Sequence, residues 1–141
     1  MEKFCKVCAA DPTSHSFKKV AEKGGVSIYY SHPAQSKLHD DTDGILSHID
    51  KMLASNGQKP WKCIINGDGY DLKLTLQRVM GGKLVDLLLE KYNRNLKEII
   101  IINPGIYVRA VIKVVSSMFD AGTFSKIKVL DDRAYSILEF I

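Results

Sequence analysis

Cysteine is scarce in this chain, with three thiols in 141 residues. The odd, low count excludes a disulfide framework and fits reduced thiols. Long apolar runs are missing too. The largest unbroken aliphatic block is Ile99 to Ile102, far short of the ~20 apolar residues of a spanning helix. Charge is not gathered anywhere: Lys18-Lys19 is the only adjacent basic pair, and no block of like charges forms. The net charge of +4 and pI near 8.9 therefore hint at anionic partners without a concentrated patch; a nucleic-acid partner is not expected. The start, Met1-Glu2-Lys3-Phe4-Cys5, has no apolar stretch of the secretory kind, so a cytoplasmic location is expected. HExxH, GxSxG and paired-carboxylate patterns are all absent. Without a catalytic set the chain does not read as an enzyme.

What is present suits one globular domain. Hydrophobic residues make up 45% and charged residues 26%, ordinary values for a chain that buries one core. Ser14 or Ser16 can cap a short helix through Ala21, stopped by Gly24-Gly25, so residues 1–23 read as a short, helical amino-terminal segment. Val26 to Ser31 reads as a β-branched and aromatic strand. Thr42 or Asp43 caps a helix to about Ser55, closed by Asn56-Gly57. Trp61 to Asn66 is a second strand, Gly67-Asp68-Gly69 a turn, and Leu72 to Tyr92 a helical stretch interrupted at Gly81-Gly82. A third strand runs from Glu98 to Asn103. Its four consecutive isoleucines have no polar alternation, the pattern of a strand buried on both faces.

Pro104 stands at a favourable first helical position before an apolar helix, Ile106 to Phe119. Asp120-Ala121-Gly122 breaks it, Thr123 to Ile127 reads as a linker, and Lys128 to Leu130 as a fourth strand. Asp131-Asp132 would cap a last helix, Arg133 to Phe140. Strands alternating with helices predict an α/β fold: a mostly parallel sheet of four to five strands with helices on its faces.

The candidate sites differ in strength. Cys5 and Cys8 form a C-x-x-C pair, but only His15 is near in sequence and Cys63 falls on a buried strand. Neither a metal nor a cofactor is expected. Asn66-Gly67-Asp68-Gly69 lies between strand and helix, where phosphate loops lie, yet it matches no phosphate-loop pattern and reads as a plain turn. His32 ends the first strand, where α/β folds place ligands. The helix after Pro104 is the most informative element. Arg109, Lys113 and Ser116 or Ser117 form one narrow polar stripe, and nearly everything else is apolar. Either this helix is deeply buried, or its second apolar face meets a lipid chain, a membrane surface or a partner.

The segment Tyr92-Asn93-Arg94-Asn95-Leu96-Lys97-Glu98-Ile99-Ile100-Ile101-Ile102-Asn103-Pro104 resembles the tract before the gate helix of CRAL-TRIO domains, roughly Y-P-x-x-L-x-x-x-x-I-I-N-A/P-P. The stretch Phe119 to Ile127 is similar to their F-L-D-x-x-T-x-x-K-I, and Trp61 to Gly69 to an earlier strand ending in D-x-x-G, with Asn66 in place of the aspartate. The resemblance covers about residues 24–141 and is nearest to the short divergent subgroup found in some Rho GTPase-activating proteins and BCH-type scaffolds. It implies an α/β module that holds a phospholipid or other hydrophobic small molecule under the gate helix. Ile106, Tyr107, Val108, Val111, Ile112 and Val115 would line the lipid slot. Thr123 and Lys126, the T-x-x-K pair, would meet a phosphoinositide headgroup, while Arg109 and Lys113 would face the membrane surface. The subgroup implies an alternative, a protein-interaction scaffold that self-associates or holds a partner through the gate-helix face.

Overall fold

The computed structural model describes residues 8, 10–11, 14–37, 41–70, 86–117 and 119–141. Five strands form one sheet in chain order: β1 (Lys18–Lys23), β2 (Val26–Ser31), β3 (Trp61–Asn66), β4 (Leu96–Ile102) and β5 (Ile127–Leu130). β1 pairs with β2 antiparallel, and every later neighbour is parallel. Three helices are described between strands: α1 (Thr42–Ser55), α2 (Ile106–Ser116) and the single turn α3 (Ala121–Phe124). The α/β reading holds, with a mostly parallel five-stranded sheet.

The amino-terminal reading changes. Lys18 to Lys23 is a strand, not the end of a helix. Gly24 and Gly25 both have positive φ, 57° and 80°, the backbone of a two-residue hairpin turn that only glycine adopts freely. The Gly-Gly pair thus joins two strands instead of stopping a helix. β1 is the sheet edge and exposes Lys18, Lys19, Glu22 and Lys23, charges that keep an edge strand from pairing with another chain.

α1 begins one residue earlier than the sequence suggests. Its cap is Asp41, whose carboxylate accepts from the Gly44 N–H at 3.2 Å. Gly57, at φ 67°, ends it as expected. Leu88–Tyr92 forms a wide π-type turn and Asn93–Asn95 a 3-10 turn leading into β4. The rest of the expected Leu72-to-Tyr92 helix, with Gly81-Gly82, lies outside the described residues, as do Cys5 and His39.

Parallel strands in sequential order, joined by right-handed crossovers, place every crossover on one face of the sheet. The packing agrees. Tyr29, Trp61, Cys63, Ile99 and Ile101 point to one side and pack with Ile49, Met52 and Leu53 of α1 and Val108 of α2. Ile28, Ile64, Ile100 and Ile102 point to the other. The four isoleucines of β4 therefore divide two and two between the faces, as an unalternating strand requires.

The second face has no long helix among the described residues. It is covered by the carboxyl-terminal segment, through Tyr135, Ile137 and Phe140. The expected helix from Arg133 to Phe140 is instead a largely irregular strap with one 3-10 turn, Ile137–Glu139, fixed by a reciprocal Ser136–Glu139 capping box. A strap presents Tyr135, Ile137 and Phe140 to one flat surface, which a short helix would rotate apart. Beside this apolar area, Lys62, Glu98 and Lys128 form a cross-strand charge row, with Lys128 2.9 Å and Lys62 3.8 Å from Glu98.

β3 ends in a turn pressed against the start of α2. A Cβ built on Gly67 would lie 2.9 Å from Val108 Cγ2 and 3.0 Å from the Asn103 carbonyl, too close for any side chain. Gly67→Ala is expected to lower unfolding stability by about 1–3 kcal/mol through overpacking. Gly122→Ala, where an added Cβ meets nothing closer than 3.5 Å, should be neutral or slightly stabilising. Urea denaturation of both variants checks this; equal effects would show that the close approach at Gly67 does not matter.

Candidate functional site

The two ends of the parallel strands carry different chemistry. At the carboxyl ends a hydrogen-bonded chain links successive strands. His32 Nε2–H donates to the Asp68 carbonyl at 2.8 Å, so Nδ1 holds the lone pair and faces the Tyr30 hydroxyl at 3.4 Å. Asn66 Nδ2 donates to that hydroxyl at 3.0 Å, and Asn66 Oδ1 accepts from the Asp68 N–H and from Asn103 Nδ2. Asn103, at a left-handed φ of 52°, closes the chain by exchanging two bonds with the Tyr135 backbone. Asn66 both donates and accepts here, which an ionised aspartate at this strand end could not do.

The loop after β3 follows the same logic. The Gly67 N–H donates to the Ile102 carbonyl, the Asp68 N–H to Asn66 Oδ1, and the Tyr70 N–H to the Gly67 carbonyl. These three donors are committed internally, and Asn66-Gly67-Asp68-Gly69 forms a turn, as the sequence reads. His32 is a buried structural link; its backbone also exchanges two bonds with Ser16 Oγ.

The amino ends of β4 and β5 bring Thr123 and Lys126 together. Asp120 caps α3 by accepting from the Thr123 N–H at 2.7 Å, and that bond holds the Asp120 carboxyl below the usual aspartate range. Thr123 is buried and its hydroxyl accepts from Asn93 Nδ2 at 3.0 Å. Lys126 Nζ donates to the Asn93 carbonyl at 2.8 Å and to Asn93 Oδ1 at 2.9 Å. Both residues of the T-x-x-K pair thus grip one asparagine. Sequence reasoning did not single out Asn93, although a signal existed: it stands where the motif Y-P-x-x-L has proline, which offers no side-chain amide.

α2 divides its residues between core and solvent. Val108 is in the core and Ile112 packs against it; Tyr107 and Val111 are half-buried. Ile106 is 75% exposed and Val114 56%, and the Val115 side chain lies outside the described set. The exposed face reads Ile106, Arg109, Ala110, Lys113, Val114 and Ser117, apolar groups interleaved with two cations. Arg109 also reaches Asp131 at 2.8 Å, a half-exposed pair. The helix starts two residues after Pro104, with the Arg109 N–H bonded to the Gly105 carbonyl, so Pro104 precedes the helix instead of opening it.

The thiols differ in placement. Cys63 is buried in the sheet, and burial pushes its thiol up to about 12, which leaves it unreactive. Cys8 lies beside His15 and His48, 3.5 Å from His15 Nδ1. No motif or spacing signals that His48, on α1, meets the other two.

Two expected outcomes follow from the Asn93 grip. Lys126→Met should cost about 1–2 kcal/mol in urea unfolding, because a charge-assisted donor to two oxygens is lost. Asp120→Ala should be less stable than the parent at neutral pH. Because the Asp120 carboxyl is depressed in the fold, its contribution is present above the unfolded value of about 3.9 and is lost as pH falls through the lower folded value. The difference between parent and variant should therefore shrink in acid; a gap unchanged down to the acid limit would contradict the capping role.

Residues 26–136 match the family model described as the divergent CRAL/TRIO domain. No curated protein matches the sequence.

Proposed function

Since the chain belongs to the divergent CRAL/TRIO family, whose domain implies a hydrophobic small-molecule ligand, we propose that it binds an anionic phospholipid, a phosphoinositide above all. The role is binding at a membrane surface, not catalysis, and the protein works at the cytoplasmic side of membranes as a peripheral component. Among the described residues no helix is long and apolar enough to cross a bilayer.

The observation that carries this reading is the exposed face of α2. Ile106, Ala110 and Val114 alternate there with Arg109 and Lys113, the composition that lets a helix lie at a headgroup boundary with cations over anionic lipid. Phe124, 46% exposed on α3, adds apolar surface in the segment that carries Thr123 and Lys126. Val108 and Ile112 hold the helix to the core, and an acyl chain would enter beside the half-buried Tyr107 and Val111. The headgroup role of Thr123 and Lys126 rests on an exchange: a phosphate takes the ammonium and the hydroxyl from Asn93. A doubly charged phosphate is the stronger acceptor, since hydrogen bonds between ionised partners are about twice as strong as neutral ones.

Flotation with phosphatidylcholine vesicles, plain or doped with phosphoinositide, tests the reading. Doped vesicles should capture the protein, and Lys113→Glu should weaken capture on the order of tenfold, at about 1 kcal/mol per basic residue near the surface. Val114→Asp should weaken it as well. Indifference of the parent protein to both vesicle types would overturn the proposal. A mass that grows with concentration in light scattering, abolished by Val114→Asp, would assign the α2 face to self-association instead.

A further inference from the structure

Three residues that the proposed function does not use converge in the interior. Cys8, His15 and His48 are 1%, 2% and 2% exposed, and one potential ligand atom from each lies within 4.8 Å of the others. They come from separate places: Cys8 and His15 from the segment before β1, His48 from the buried side of α1. Cys8 and His15 also precede the span matched by the family model.

We propose that Cys8, His15 and His48 form a zinc site that fastens the amino-terminal segment to α1. The donor set is one thiolate and two imidazoles, which suits zinc or another borderline transition metal and not calcium or magnesium. The spacing fits. Tetrahedral zinc with Zn–S about 2.3 Å and Zn–N about 2.0–2.1 Å sets sulfur and nitrogen about 3.5 Å apart, and Cys8 Sγ lies 3.5 Å from His15 Nδ1.

The outer contacts arrange both histidines as ligands. His48 Nε2 lies 2.7 Å from the Phe17 carbonyl. A carbonyl only accepts, so Nε2 carries the proton and Nδ1 holds the lone pair. His15 Nε2 lies 2.8 Å from Asp41 Oδ2, so the same tautomer places its Nδ1 lone pair at Cys8. A carboxylate or carbonyl behind the imidazole is the usual companion of a metal-bound histidine and raises its basicity. Asp41 is also the cap of α1, so the helix start and the site are fixed together. In the sequence, Cys5 stands three residues before Cys8, the C-x-x-C spacing of thiolate pairs in zinc sites.

The test uses the full chain, purified in a phosphine reductant without chelator, dialysed against Zn2+ and then against metal-free buffer. Elemental analysis should find about one zinc per chain. His48→Gln and Cys8→Ser should lose it, whereas Cys63→Ser should keep it. Asp41→Asn, which preserves a capping side chain, should weaken zinc binding about 10–100-fold. Cobalt(II) in place of zinc should give thiolate charge-transfer and tetrahedral d–d absorption, both absent in Cys8→Ser. Chelator should lower the melting temperature of the parent protein and leave that of His48→Gln unchanged, a reading independent of whether the variants are less stable. A parent chain that holds no zinc, or full zinc in both Cys8→Ser and His48→Gln, would overturn the proposal.

Discussion

The fold depends on a strand that has no polar side. Ile99 to Ile102 occupy consecutive positions of β4, and all four are buried. Since successive side chains point to opposite faces, two enter each side of the sheet, and neither side can be left to water. Burying an aliphatic side chain of this size is worth about 1.5–3 kcal/mol, so the strand demands cover on both faces. Sequential parallel order, however, sends all crossovers to one face. The other is closed by the carboxyl-terminal strap, which is why Tyr135, Ile137 and Phe140 lie against Ile28, Ile64, Ile100 and Ile102.

The same constraint orders the polar groups. The strap is anchored where the sheet ends: Asn103, immediately after the isoleucines, adopts a left-handed φ and binds the Tyr135 backbone through both amide atoms. Its Nδ2 also donates to Asn66, which joins Tyr30 and the Asp68 N–H. The carboxyl ends of the strands are thereby occupied with holding chain to chain.

Period and composition made the central elements legible. Val26–Ser31 and Trp61–Asn66 are strands where β-branched, aromatic and apolar runs place them, and Ile99–Ile102 declares its two-sided burial without any alignment. Legibility fails where a local signal has two readings. Gly24-Gly25 ends a helix or turns a hairpin with equal right, and only pairing with β2 decides. Asp131-Asp132 can cap a helix, but the segment after it must lie flat on a sheet, a tertiary demand that overrides the cap. The site was half legible: Thr123 and Lys126 come from a short motif, whereas their partner Asn93 and the meeting of His48 with Cys8 and His15 depend on residues more than twenty-five positions apart.

The position of the T-x-x-K pair also sets where the proposed headgroup contact would lie. Open α/β sheets usually bind ligands beyond the carboxyl ends of their strands. Here those ends are closed by Asn66, Asn103, His32 and the strap, and the Gly67 and Asp68 N–H groups are used internally. The amino ends of β4 and β5 are different. Lys126 Nζ there donates to the carbonyl and side-chain oxygens of Asn93, with the Asp120 carboxylate close enough to feel its charge. A multiply charged anion would compete for that ammonium with the Asn93 oxygens, since ionised acceptors make the stronger bonds. The polarity of the sheet thus places the proposed headgroup contact opposite to the usual end. The Arg109–Asp131 pair ties the first half of α2 to the carboxyl end of β5, so Lys113 and Val114 fall on the half of the helix that leads along the chain into α3 and the T-x-x-K pair.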